Sequence, residues 1–151
     1  MVDPLIALMG KILAHIPDNS DPSLAILKGH LIVEEELNKA LASKVINSID
    51  IEEARLTFNQ LMLVTKAHYA TEGNAWCWDA LTKLNKIRNS LSHNLEPPDL
   101  EKYLVEFVDL VEKRLGTQPG TDFQERLRHA LAILAAQVHG FWRSEDHNKR
   151  R

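Results

Sequence analysis

Leu84-Asn85-Lys86-Ile87-Arg88-Asn89-Ser90-Leu91-Ser92-His93 is the stretch on which the reading of this chain turns. At about 100° per residue, Leu84, Ile87 and Leu91 fall on one side, joined upstream by Trp76, Cys77 and Ala80. Asn85, Arg88, Asn89, Ser92 and His93 span about 140° of a neighbouring side. An apolar stripe of helical period with a polar shoulder belongs to a helix packed among others, not to a strand. The shoulder also carries chemistry. Arg88 offers a permanent cation in a fork of donors, and His93 an imidazole that moves a proton near neutrality. Cleavage of a phosphodiester needs those two groups, but an Arg and a His at this spacing also meet by chance, so the surroundings must decide.

Outward from this helix, the 151-residue chain keeps the same period, and no stretch alternates as a strand does. The expected fold class is all-α, with helices over about 3–15, 22–47, 52–71, 75–93, 98–115 and 122–142. Asp21-Pro22 reads as an N-cap followed by proline at the first helical position, and Asp50, Asn74, Pro97-Pro98 and Thr121-Asp122 punctuate later starts. Gly116-Thr117-Gln118-Pro119-Gly120-Thr121 is the clearest break. It separates a five-helix unit from a last helix whose Phe123, Leu127, Ala130, Leu134, Val138 and Phe141 form one stripe. That helix either packs back on the core or pairs with another subunit. The length suits a single domain with a core that needs no staples.

A net charge of −3 offers nucleic acid no broad basic field. Residues 1–120 carry 12 Lys+Arg against 17 Asp+Glu, and residues 121–151 carry 6 against 4, so RNA must meet a local pocket or the basic tail. Lys149-Arg150-Arg151 is short and reads equally as a solvated end. A lone Cys77 excludes an intrachain disulfide and a thiolate cluster, which suits a reducing compartment. The first apolar run is broken by Gly10, Lys11 and Pro17 and reads as a helix, neither a secretory signal nor a span, so the expected location is cytoplasmic, with no membrane partner. Glycine-rich phosphate loops and nucleophile elbows are absent, which disfavours nucleotide and serine hydrolases. No helix-turn-helix reading helix with a basic face is evident.

On the second helix Leu24, Leu27, Leu31, Val33, Leu37, Leu41 and Val45 fall within about 180°, with Glu34 and Asn38 in the middle of that arc and Glu35 and Glu36 off its centre. A carboxylate among leucines costs several kcal/mol unless a cation or several donors meet it. Glu34 is therefore expected to face Arg88. Two readings follow: a Glu34–Arg88 pair that only locks two helices together, with Asn85 and Ser92 satisfying leftovers, or a polar site. His30, one turn before Glu34, and His68, on a stripe with Phe58, Leu61 and Thr65, read as satisfied core histidines. A metal site in a bundle normally needs more carboxylates, so no metal and no cofactor are expected.

Leu84 to Leu95, with Arg88, polar Asn89, three further residues and then His93 late in a helix, resembles the signature of the HEPN superfamily, named for higher eukaryotes and prokaryotes nucleotide-binding. Gly29-His30-Leu31-Ile32-Val33-Glu34-Glu35-Glu36-Leu37 is also similar to the acidic second helix of bacterial members, notably the branch related to the mannitol operon repressor. The likeness covers about residues 20–115 and leaves the first and last helices unexplained. It implies an HEPN-like antiparallel helical bundle with an additional C-terminal helix, a homodimer that brings two motifs to one cleft, and metal-independent cutting of RNA. His93 would then act as general acid/base, with Arg88 on the phosphate, Asn89 orienting either, and Glu34 holding Arg88. An antitoxin or regulatory protein partner is also implied. So is a noncatalytic alternative, because mannitol-repressor-like members are regulators that work through protein contacts.

Overall fold

Several helix starts are local hydrogen-bonding solutions. Asp3 and Asp21 accept from Leu5 N at 2.7 Å and Ser23 N at 3.0 Å, each ahead of a proline at the first helical position. Those caps begin α1 (Pro4–His15) and α2 (Pro22–Ala42). Then follow α3 (Ser48–Ala54), α4 (Phe58–Tyr69), a 3-10 turn over Glu72–Asn74, α5 (Ala75–His93), α6 (Leu100–Leu115) and α7 (Phe123–Lys149). The structure, a computed structural model, describes residues 2–16, 21–115 and 122–149, with the backbone alone for 115 and 145–149. Among the described residues the fold is all-α, without a strand. The expected break at 116–121 and the basic residues at 150 and 151 lie outside them.

Three expected helices change, and the last of them runs on to Lys149 instead of ending near 142. The second stops at Ala42, not near 47, where the Ser43 hydroxyl turns back to hydrogen-bond Ala40 O at 2.8 Å. The third, expected over 52–71, is two helices. Arg55 adopts the left-handed conformation at φ 50° and ends α3, and Thr57 with Gln60 forms a reciprocal capping box that starts α4.

At the centre α2 runs along α7 and also touches α4 and α5, while α6 packs on α5 and α7, and α1 lies over α7 and α2. The last helix is thus part of the core, with Leu127, Leu131, Leu134 and Val138 buried. Phe141 stacks on both Trp78 and Tyr69, at 5.4 and 5.1 Å between ring centroids. A bidentate pair from Arg126 to Glu112, at 2.8 and 2.7 Å, ties the start of α7 to the end of α6.

The interior face of α2 keeps Val33, Leu37 and Leu41 of the expected arc but not its first three leucines. Leu24, Leu27 and Leu31 are exposed, whereas Ala25, Ile26, Gly29, Ile32, Val33, Glu36, Leu37, Ala40 and Leu41 are buried. Small residues explain the rotation. A Cβ placed on Gly29 would stand 2.7 Å from a Leu131 methyl, so α7 approaches where α2 has almost no side chain. Area left open by the outward leucines is offset by a long, close helix contact, which returns dispersion and burial along most of α2.

Candidate functional site

The rotation of α2 changes which carboxylate is buried. Glu36, not Glu34, enters the interior, 1% exposed. Its Oε2 accepts from His139 Nδ1 at 2.9 Å and Trp142 Nε1 at 2.8 Å, and its Oε1 from Lys39 Nζ at 3.0 Å. Burial alone would push its pKa up, yet those three donors and the lysine charge outweigh burial and hold it below the ordinary carboxylate value. Both carboxylate oxygens of Glu36 are thus engaged by the fold. The Nε2 of His139 is buried and has no hydrogen-bond partner among the described residues.

Glu34 is half-exposed and makes no ion pair with Arg88; its carboxylate lies 3.9 Å from His30 Nδ1. Asn38 does not face α5 either. It is exposed, donates to Glu34 O at 3.0 Å, and lines a separate cleft against α3 with Glu52 and Arg55. His68 is exposed, contrary to expectation. His30 is buried as expected: its Nε2 lies 3.2 Å from Asn85 Oδ1 and its ring packs on Phe58 at 4.1 Å. An amide oxygen only accepts, so we infer that His30 carries its proton on Nε2. Desolvation outweighs the Asn85 hydrogen bond, which favours the charged ring, and with a smaller repulsion from Arg88 lowers its pKa from the ordinary histidine value.

Asn85 joins this buried histidine to the outer edge of α5. Together with Asn89 and His93, at helical spacing, it lines an open cleft of about 690 Å³. The opposite wall is the corner that turns α5 into α6, where buried Pro97 and left-handed Asp99 at φ 62° reverse the chain, and Tyr103 of α6. Neither ring nitrogen of His93 has a hydrogen-bond partner among the described residues. Residues 80–94 carry Lys83, Lys86 and Arg88 and no carboxylate, so the edge is locally basic on an acidic chain.

Arg88 and Ser92 stand beside this cleft rather than in it. Five residues separate Arg88 from His93, about 140° of helical turn. Arg88 is exposed, and its Nη1 donates to Asn89 Oδ1 at 3.3 Å, while the Ser92 hydroxyl donates to Arg88 O at 3.1 Å. The structure therefore gathers Asn85, Asn89 and His93, sets Arg88 and Ser92 on the adjoining flank, and leaves Glu34 and Asn38 apart. Sequence reasoning missed Lys86, Asn94 and Tyr103. Lys86 was legible from its spacing to Asn89 and His93, whereas Tyr103 reaches the cleft only through the 94–99 corner.

Among the described residues no group of three His, Cys, Asp or Glu side chains converges as a metal site, and no helix is long and apolar enough to cross a membrane. No family model, no curated protein and no solved structure matches this chain.

Proposed function

We propose that this chain is an HEPN-like RNA-binding protein that cuts RNA without metal. The observation that carries the reading is an uncommitted imidazole, His93, in an open polar cleft with Asn89, beside an exposed Arg88 that Asn89 already orients. His93 takes the proton from a ribose 2′-hydroxyl, the oxygen attacks phosphorus, and the 5′-oxygen leaves with a proton returned by an imidazolium. Products are a 2′,3′-cyclic phosphate and a free 5′-hydroxyl. Arg88 places its fork of donors on the charged phosphorane. Because Arg88 and His93 diverge on one helix, a second copy of the chain supplies the complementary group, which makes the active species a homodimer with the ends of α5 near its two-fold axis.

Purified full-length protein incubated with mixed single-stranded RNA, with and without chelator, tests this. Cyclic-phosphate ends, unchanged by chelator and lost in His93→Ala and Arg88→Ala, are expected, with Arg88→Lys also inactive because a point charge lacks the bidentate fork. Cleavage that survives His93→Ala, or a monomer by light scattering at micromolar concentration, defeats the mechanism.

One observation favours the alternative of a noncatalytic regulator acting through protein contacts. Leu24, Leu27 and Leu31 form an exposed stripe on α2, more apolar than a solvated helix face requires. In that reading an antitoxin or regulatory protein covers the stripe, and no RNA is cut.

A further inference from the structure

We propose that the cleft between α5 and the 97–103 corner is a subsite for one unpaired nucleotide of RNA, with Tyr103 as the ring on which its base stacks and Lys86 as the cation that meets its phosphate. The proposal rests on the RNA reading above and adds residues that no motif contains.

Tyr103 is half-buried, fixed on α6 by packing against the core, and turned into the cleft. Its hydroxyl makes no hydrogen bond with any described residue, so the ring is held by its apolar edge while its polar tip stays available. Lys86 Nζ lies over that ring, 4.7 Å from the centroid. The neighbouring lysine, Lys83, is engaged by Glu106 at 3.5 Å, whereas Lys86 makes no ion pair among the described residues. A cation parked on an aromatic face is a ready pair for a nucleotide: the base displaces the ammonium from the ring, and the ammonium follows the phosphate. Lys86 and His93 are seven residues apart on α5, about 10 Å along the helix axis. Lys86 thus meets a phosphate next to the one beside His93 rather than the same one. Asp99, the carboxylate on the opposite wall, keeps phosphate on the α5 side and offers an acceptor to a ribose hydroxyl or base amine. Asn89, whose amide nitrogen has no partner among the described residues, faces the same space. A base held this way must be unstacked from its neighbours, so the subsite selects single strands over duplex.

The test is a fluorescence-anisotropy titration of a labelled 12-nucleotide single-stranded RNA with the full-length chain, using Tyr103→Phe, Tyr103→Leu and Lys86→Ala beside the unsubstituted protein. Tyr103→Phe retains affinity, Tyr103→Leu raises Kd about fivefold to a hundredfold, as loss of one base–aromatic stack does, and Lys86→Ala lowers the salt dependence by about one phosphate contact. Duplex RNA of the same sequence competes poorly. If Tyr103→Leu unfolds, photocrosslinking of a 4-thiouridine oligonucleotide to the unsubstituted protein still decides, through labelling of the peptide that carries Tyr103. Unchanged affinity in Tyr103→Leu, or crosslinks confined to other peptides, overturns the subsite while leaving the RNA reading intact. No RNA binding by the unsubstituted protein overturns both.

Discussion

The seam between α2 and α7 and the outer edge of α5 contain similar chemistry, a histidine beside aromatic and charged groups, and use it in opposite ways. In the seam Glu36 meets His139, Trp142 and Lys39, so each charge is matched inside the protein. At the edge His93 has no hydrogen-bond partner among the described residues, Lys86 lies over a ring and Arg88 donates to an amide. A buried polar group must be satisfied or the fold loses several kcal/mol, whereas an exposed one is satisfied by water and remains free to exchange that water for a ligand. Burial, not residue type, separates the histidine engaged by the fold from the one left at the surface.

The largest effect should come from the seam. Glu36→Ala strands two ring N–H donors and is expected to cost about 3–5 kcal/mol in denaturant unfolding, as breaking one side of a buried charged pair does. A loss under 1 kcal/mol would make the two regions alike after all. Next, Gly29→Leu drives a side chain into Leu131 and should cost about 3 kcal/mol, against a helix-propensity gain of about 1.

Acidity sharpens the contrast. Glu36 has a folded pKa below its unfolded value, so its contribution is complete above about pH 4.5 and is lost as pH falls through the lower folded value. Thermal melts of Glu36→Gln should lack that acid-limb loss. His30 acts in a higher window. Its lowered folded pKa means that the unfolded chain takes up the proton first, so stability declines as pH drops below 6.5, and His30→Gln should flatten that slope. The smallest effect belongs to the edge: His93→Ala and Ser92→Ala should each change stability by no more than about 0.5 kcal/mol. A melting point that collapses in His93→Ala would place that histidine with the structural set.

Helix ends were legible where a side chain caps its own backbone. Asp21-Pro22 marks a real start, and the Thr57–Gln60 capping box was equally readable, although a longer continuous helix was expected there; Asn74 also precedes a helix, but its side chain meets Tyr69 O, Thr71 N and Trp78 Nε1 instead of capping it. The polar shoulder of α5 was legible because helical spacing alone sets Asn85, Asn89 and His93 on one side. The interior of α2 was not. Three leucines outweigh Ala25, Gly29 and Ala40 on any hydrophobicity count, yet only the small residues let another helix come close.

By itself, then, the sequence determined that this chain is all-α over its described residues, and that α5 carries a hydrogen-bonding edge, since periodicity and caps act within a few residues. Tertiary structure alone decided that Glu36 rather than Glu34 is buried, because its partner His139 lies 103 positions away. It also decided that Tyr103 and Lys86 share a cleft with His93. Such pairings depend on which helices approach and how closely, and that is set by packing between distant segments, which no local pattern encodes.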